Sequence, residues 1–366
     1  MESPSPPQEM PESVKPEPQT EVAESKPSLK GISGLTNIGN TCYGNAVIQA
    51  LRHQVDFTLF LLQGNHKPLL KKKEASDRTR MLESYAELVQ QLWSAEGSVI
   101  KTRNFWQAML PVAIKNGFEQ FRVPIAHDAH EFLMLLLDTF HEALAEEVTM
   151  TIRTPSNTNT KGALEFWKSS FEKKYSPLVE LVFGIQQKCV KCTGCNTDNI
   201  SWEIMNASEL CVQKSDKPVE LLDLMASIYT KGDSDIIDDY ACEKCKPLRP
   251  KATVTRSLWR LGNWVVIVLK RNENNGRRIN TVVNIPLTTT FTPMFHPTSE
   301  EPSKEDTFEL FSTIHHHGGA NGGHYTSHAK HSVTGKWIRY DDENAYNAPE
   351  PRLDQSTYIV MYRRKT

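Results

Sequence analysis

A cysteine set where a loop of small and amide residues enters a helix is well placed for a nucleophile, and Asn37-Ile-Gly-Asn-Thr-Cys42 ends in that way. Helix-terminal N–H groups and the macrodipole favour the thiolate, the form that attacks carbonyls. The same N–H groups can receive a developing oxyanion, and Asn37 or Asn40 could add a side-chain amide donor. A free cysteine is also a common small core residue, so Cys42 needs partners. The far end of the chain offers them. Gly318-Gly-Ala-Asn-Gly-Gly reads as a glycine loop leading into a strand that begins with His324. Such a loop leaves room for an extended peptide beside a histidine base. Lys336-Trp-Ile-Arg-Tyr-Asp341-Asp342 reads as a neighbouring strand ending in carboxylates. Either Asp341 or Asp342 could hold the imidazole in its working tautomer, although paired aspartates at a strand end are also common in turns.

A second constellation is built from cysteine alone. Cys192-Thr-Gly-Cys195 and Cys242-Glu-Lys-Cys245 form two C-x-x-C knuckles. Each pair can clasp a tetrahedral ion, and four thiolates complete a closed structural zinc site. Cys189 stands one knuckle spacing earlier and reads as a decoy for a ligand, and Cys211 reads as core. His315-His316-His317 could suggest metal, but strand alternation sends neighbouring side chains to opposite faces. That run carries no catalytic assignment.

The elements needed to position these groups follow from periodicity. Cys42 to Leu62 reads as one helix, with Ala46, Val47, Ala50 and Leu51 on a single stripe. Further helices are expected over Arg80–Trp93, Asn104–Lys115 and Asp128 to about Glu147. The last opens with Asp128 and Glu131 in capping-box spacing. The polar run Thr151–Gly162 reads as a loop. After Phe183 the text turns to strands: Trp264–Leu269, Phe308–His316, His324–Lys330, Lys336–Asp341 and Thr357–Tyr362. Helices first and strands later imply an α+β architecture, with the chemistry drawn from both ends of the chain.

The bulk properties narrow the setting. With 366 residues, 39 % hydrophobic, the chain can bury a sizeable core. A formal net charge of -2 gives no basic field for nucleic acid or a membrane surface. No apolar run nears the roughly 20 residues that span a bilayer. The first residues lack the pattern of a secretory signal. Seven cysteines, four of them in knuckles, suit a reducing intracellular compartment, cytoplasm or nucleus. Residues 1–30 are rich in Pro, Glu and Ser and are expected to be disordered.

Gly34-Leu-Thr-Asn-Ile-Gly-Asn-Thr-Cys42-Tyr-Gly-Asn resembles the cysteine box of the ubiquitin-specific proteases. Gly322-Gly-His-Tyr, followed by Trp337-Ile-Arg-Tyr-Asp-Asp, resembles their histidine box. The likeness runs from residue 31 to 366. It implies a papain-like fold with thumb (about 31–175), zinc-bearing fingers (about 176–260) and palm (about 261–366). It further implies a deubiquitinase that cuts after the C-terminal glycine of ubiquitin, with Cys42 as nucleophile, His324 as base, Asp341 as orienting residue and Asn37 at the oxyanion hole. Ala126-His-Asp128-Ala-His-Glu-Phe resembles the box in which Asp128 would face the basic tail of ubiquitin. Ala126 and His127 replace two glutamines of that box, and Asn272 stands where an aromatic residue is usual. Ala126 and His127 keep open a hydrolase for another ubiquitin-like modifier; a catalytically weak ubiquitin-binding scaffold is a further alternative, against which the intact Cys42, His324 and Asp341 argue.

Overall fold

In this computed structural model the described residues are 30–365, apart from 123–124, 153, 156, 231–235, 273–276 and 320–321. The expected disordered tail therefore lies, except for Lys30, outside the described residues. The first half folds into helices: α1 (Cys42–Leu51), α2 (Asp77–Ser94), α3 (Arg103–Lys115), α4 (Ala129–Leu144) and α5 (Thr158–Phe171). All ten residues of α1 are buried, so it is the hub of this lobe rather than a surface helix. Leu82, Tyr85, Phe105, Phe132 and Phe140 pack with it into one core.

The single helix expected over Cys42–Leu62 is two. The second runs over Val55–Leu62, and Gln54 adopts an extended conformation and caps it, accepting the Phe57 N–H at 2.6 Å. The expected loop Thr151–Gly162 is also shorter than read. Asn157 caps α5 by accepting the Thr160 N–H at 2.8 Å, so a polar first turn hides a helix. Gly162 on α5 is a close-approach position, because a Cβ there would stand 2.9 Å from the Trp202 indole nitrogen.

Among the described residues the second half supplies two larger sheets, besides a two-stranded pairing of Val219–Glu220 with Val283–Asn284. Strands β1 (Ile32–Leu35) and β2 (Glu96–Ile100) pair separately within the helical half. Then β3 (Gly184–Cys192), β4 (Asp198–Met205), β5 (Ser208–Cys211), β6 (Ile236–Ile237) and β7 (Ala252–Arg260) follow. The last run comprises β8 (Trp264–Lys270), β9 (Thr307–Gly319), β10 (Gly322–Lys330), β11 (Trp337–Asp341), β12 (Asn344–Ala348) and β13 (Thr357–Arg364). Four of these form a small sheet in the order β4-β3-β7-β6. The larger sheet runs β12-β11-β10-β9-β13-β8-β5, with Thr288–Thr290 paired to β9. The α+β architecture holds.

The glycine loop is tighter than its composition implies. β9 and β10 continue through it in register, with His317 opposite His324, Gly318 opposite Gly323 and Gly319 opposite Gly322. Strand β10 therefore begins at Gly322 and His324 is its third residue. Gly318 has φ +141°, and a Cβ on it would meet the Gly322 carbonyl oxygen at 2.5 Å, so the hairpin requires glycine there. Cys211, expected in the core, is exposed at the end of edge strand β5.

Candidate active site

The approach to Cys42 is shaped by Asn37. Its Oδ1 accepts the backbone N–H groups of Gly39 (3.0 Å) and Thr41 (3.1 Å), curling residues 37–41 into a tight turn. Gly39 and Asn40 take positive φ values of 120° and 53°, conformations that glycine and asparagine tolerate. Thr41 precedes α1 without a side-chain cap, its hydroxyl accepting the Ile38 N–H at 3.2 Å instead. Cys42 is then the first helical residue, where N–H groups have no intrahelical acceptor and the dipole favours an anion.

Opposite it stands the β10–β11 pair. His324 Nε2 lies 2.6 Å from Asp341 Oδ1, and Arg339 donates to Asp341 Oδ2 at 3.1 Å. With Nε2 engaged, Nδ1 is the nitrogen that remains for sulfur. Hydrogen bonds to Asp341 and then to Cys42 push the imidazole pKa up to about 10. The same bond to His324 draws the Asp341 carboxyl below its usual value. A charged imidazolium between a carboxylate and a sulfur is thus the favoured state near neutrality.

Asp342 does different work from its neighbour. It turns into the left-handed region, at φ 48°. Its Oδ2 accepts the Asn37 side-chain amide and its Oδ1 that of Asn45, each at 2.8 Å. Asn45 sits one helical turn after Cys42 and also donates to the Thr36 carbonyl at 3.3 Å. Asp342 therefore ties the 37–41 turn and α1 to the large sheet. The Asn37 amide spends one of its two N–H groups on Asp342. Asn45 was not singled out from the sequence, although a polar residue one turn after the cysteine on a buried helix is a legible signal.

Beside the hairpin lies a cavity of about 240 Å³, lined among others by Asp128, Arg271, Arg278, His316, Tyr325 and Tyr358. Asp128 caps α4, its Oδ1 accepting the N–H groups of His130 (2.6 Å) and Glu131 (3.3 Å). The Tyr358 hydroxyl reaches both carboxylate oxygens, at 2.9 and 2.7 Å. Glu131 does not close the expected capping box; its carboxylate faces the Gln120 amide at 3.5 Å. His127 packs among aromatic rings, with centroids 4.8 Å from Phe121 and 5.4 Å from Tyr43. The histidine run alternates as strand geometry demands. His316 stacks on Tyr325 at 4.4 Å, whereas His315 is buried on the other face against His328 at 4.9 Å.

The four knuckle cysteines meet at the end of the small sheet, with their sulfurs all within 4.8 Å of one another. Cys192 and Cys245 sulfurs are 3.8 Å apart, and those of Cys195 and Cys242 are 3.6 Å apart. Hydrogen bonding with Thr197 draws the Cys195 thiol down to about 6, and hydrogen bonding with Cys195 drives that of Cys245 up to about 12. Four cysteine sulfurs crowded in this way are a donor set able to hold a metal ion. Cys189 lies on β3 outside the group.

Residues 33–362 match the family model described as Ubiquitin carboxyl-terminal hydrolase, and the chain belongs to that family. Among similar proteins, ubiquitin carboxyl-terminal hydrolase Usp2 of Drosophila melanogaster is 28 % identical over 352 residues, covering 92 % of this chain and 35 % of the relative. Ubiquitin carboxyl-terminal hydrolase 2 of Bos taurus is 28 % identical over 353 residues, covering 92 % and 55 % respectively. The chain thus spans between about a third and just over half the length of these relatives. The fold is similar to that of the SAGA Ubp8/Sgf11/Sus1/Sgf73 DUB module bound to ubiquitin aldehyde, with a TM-score of 0.69 at 18 % identity over 94 % of this chain and 72 % of that one. Among the described residues, no helix is long and apolar enough to cross a membrane.

Proposed function

We propose that this chain is a thiol-dependent deubiquitinase that hydrolyses the bond after the C-terminal glycine of ubiquitin. The observation that carries the reading is Cys42, first residue of a buried helix, beside an imidazole whose pKa is raised first by Asp341, 2.6 Å away, and then by Cys42 itself. The Cys42 thiolate attacks the glycine carbonyl carbon, and the oxyanion that forms is met by α1 N–H groups and the Asn37 amide. His324 gives its Nδ1 proton to the leaving amine, and the C–N bond breaks to leave a thioester. The imidazole then takes a proton from water, whose oxygen attacks the thioester carbon and frees the carboxylate and Cys42. Asp341 steadies the ring and its charge through both halves of the cycle.

The ubiquitin tail would run through the cavity lined by Asp128 and Tyr358, where Asp128 Oδ2 retains accepting capacity toward a basic side chain. The division into thumb, fingers and palm is supported by the helical first half, by the small sheet within 184–260 and by the large sheet, whose strands other than β5 lie beyond residue 260. Zinc is the proposed occupant of Cys192, Cys195, Cys242 and Cys245. Four sulfurs about 2.3 Å from a tetrahedral zinc stand about 3.8 Å apart, close to the separations found here. Its contribution is structural, since no site for substrate remains on a four-thiolate ion. The partners proposed are ubiquitin, ubiquitinated proteins and a regulatory protein, in the cytoplasm or nucleus.

The deciding experiment is reaction with ubiquitin carrying a C-terminal electrophile, beside the same probe on related modifiers. The expected product is a Cys42 adduct with the ubiquitin probe. Labelling only by another modifier would shift the substrate class, and labelling by none would leave a binding scaffold.

A further inference from the structure

Arg52 closes α1 at the end opposite Cys42 and is completely buried, yet no described carboxylate pairs with it. Its Nε donates to Gln49 Oε1 at 2.6 Å, one terminal nitrogen to the Gly31 carbonyl at 2.9 Å and the other to the Tyr340 hydroxyl at 2.9 Å. The guanidinium also lies over the rings of Trp93 and Tyr340, at 5.4 and 5.1 Å. His53 Nε2 is 2.8 Å from the same Tyr340 hydroxyl, which accepts from Arg52 and can donate to this ring, kept neutral by burial. A buried cation compensated only by neutral acceptors tolerates the loss of none of them, because each missing bond exposes desolvation cost. The network is accordingly rigid.

Its place in the fold gives that rigidity a use. Tyr340 immediately precedes Asp341 on β11, and the helix that bears Arg52 bears Cys42 ten residues earlier, about 15 Å along its axis. Near its start, α1 is held to the same strand and turn by Asn45 and Asp342. One anchor would let the helix pivot; two anchors on one rod fix both its tilt and its axial register against β11. Gly34 adds a close contact, since a Cβ there would fall 2.1 Å from the Glu343 carbonyl oxygen.

We propose that Arg52 is a positioning residue for the thiol hydrolysis, setting through Tyr340 the register of Cys42 against the His324–Asp341 pair. The inference rests on the deubiquitinase reading, but one of its readouts needs no substrate. The experiment compares wild type with Tyr340→Phe and Arg52→Met in kcat and KM on a ubiquitin C-terminal amide. It also follows the pH dependence of Cys42 alkylation by iodoacetamide and records the melting temperature. A sub-ångström to ångström shift of the sulfur predicts a kcat about 10- to 100-fold lower with KM within about twofold. It also predicts a Cys42 alkylation profile moved to higher pH. Tyr340→Phe, which removes one oxygen, keeps the test open should Arg52→Met fail to fold. A lower melting temperature with wild-type kcat and alkylation profile per folded molecule would overturn the proposal and leave a purely structural network. Wild-type protein without turnover would defeat the deubiquitinase reading instead, and the alkylation profiles would still judge the register.

Discussion

At the active-site end of α1, the bonds that fix the geometry join residues 305 and 297 positions apart, Asn37 and Asn45 each to Asp342. At the cysteine cluster the paired sulfurs are only 53 and 47 positions apart and lie beside one small sheet. Both centres hold sulfur in a defined geometry, but one depends on how two halves of the chain dock and the other on a local clasp. The first should respond to damage anywhere along the docking seam while remaining folded. The second should respond chiefly to loss of its ligand, and its effects should stay near the small sheet.

The largest expected effect is chemical. Cys42→Ala abolishes turnover of ubiquitin amides while retaining ubiquitin binding, because the sulfur adds little contact area. His324→Ala should cost about 10²–10⁴-fold in kcat, the range for a lost general base. Steady-state kinetics on folded variants measure both, and retained turnover in Cys42→Ala would end the thiol mechanism.

Next come the adjacent carboxylates, which separate orientation from docking. Asp341→Ala should lower kcat less than His324→Ala and move the alkylation profile of Cys42, since the bond that raises the imidazole pKa is gone. Asp342→Asn keeps a residue that tolerates positive φ but cannot accept both side-chain amides through a carboxylate. It should reduce kcat by up to roughly 10²-fold through a loosened Asn37, and, because the Asn45 anchor of α1 is weakened as well, it should move the Cys42 alkylation profile, though less than Asp341→Ala does. Equal alkylation profiles for the two variants would erase the distinction between them.

The metal centre is the other arm. Cys245→Ser should lower zinc content from one per chain and increase hydrogen exchange in β3, β4 and β7, with the β9–β11 region less affected. Elemental analysis and exchange mapping read the two effects. Absence of zinc in carefully prepared wild-type protein would remove the assignment.

A smaller effect concerns acid. Burial holds the His315 pKa well below its ordinary value of 6.5, and that of His328 at about 4. The unfolded chain therefore binds more protons than the native one between about pH 4 and 6.5, and stability falls as pH drops through that window. The melting temperature should decline from pH 7 to pH 5, and His328→Gln should flatten the decline. A slope unaltered by that substitution would assign the acid response elsewhere. Smaller again, Asp128→Asn should raise KM for ubiquitin substrates while preserving α4, since asparagine also caps well.

Much of this site was legible in the sequence because its chemistry is concentrated in short segments. The Asn37–Cys42 turn, His324 and the cysteine knuckles each declare themselves by residue type and spacing. The choice between Asp341 and Asp342 was not legible, because it depends on a left-handed residue that turns the second carboxylate toward α1. The break at Gln54 was hidden because a continuous apolar pattern says little about a cap inside it. Helix α5 was hidden for the opposite reason, a polar first turn that looks like a loop. Cys211 misled because an edge-strand end exposes a residue whose type favours burial.

Helix α1 is buried on every side, and part of its burial comes from strands made at the far end of the chain. During synthesis at about 5–20 residues per second, the 305 positions between Asn37 and Asp342 take roughly 15–60 s to emerge. For that interval the nascent helix has neither its sheet nor its imidazole. The constellation around Cys42 is therefore incomplete until β10 and β11 have been made, and α1 lacks part of its burial until then.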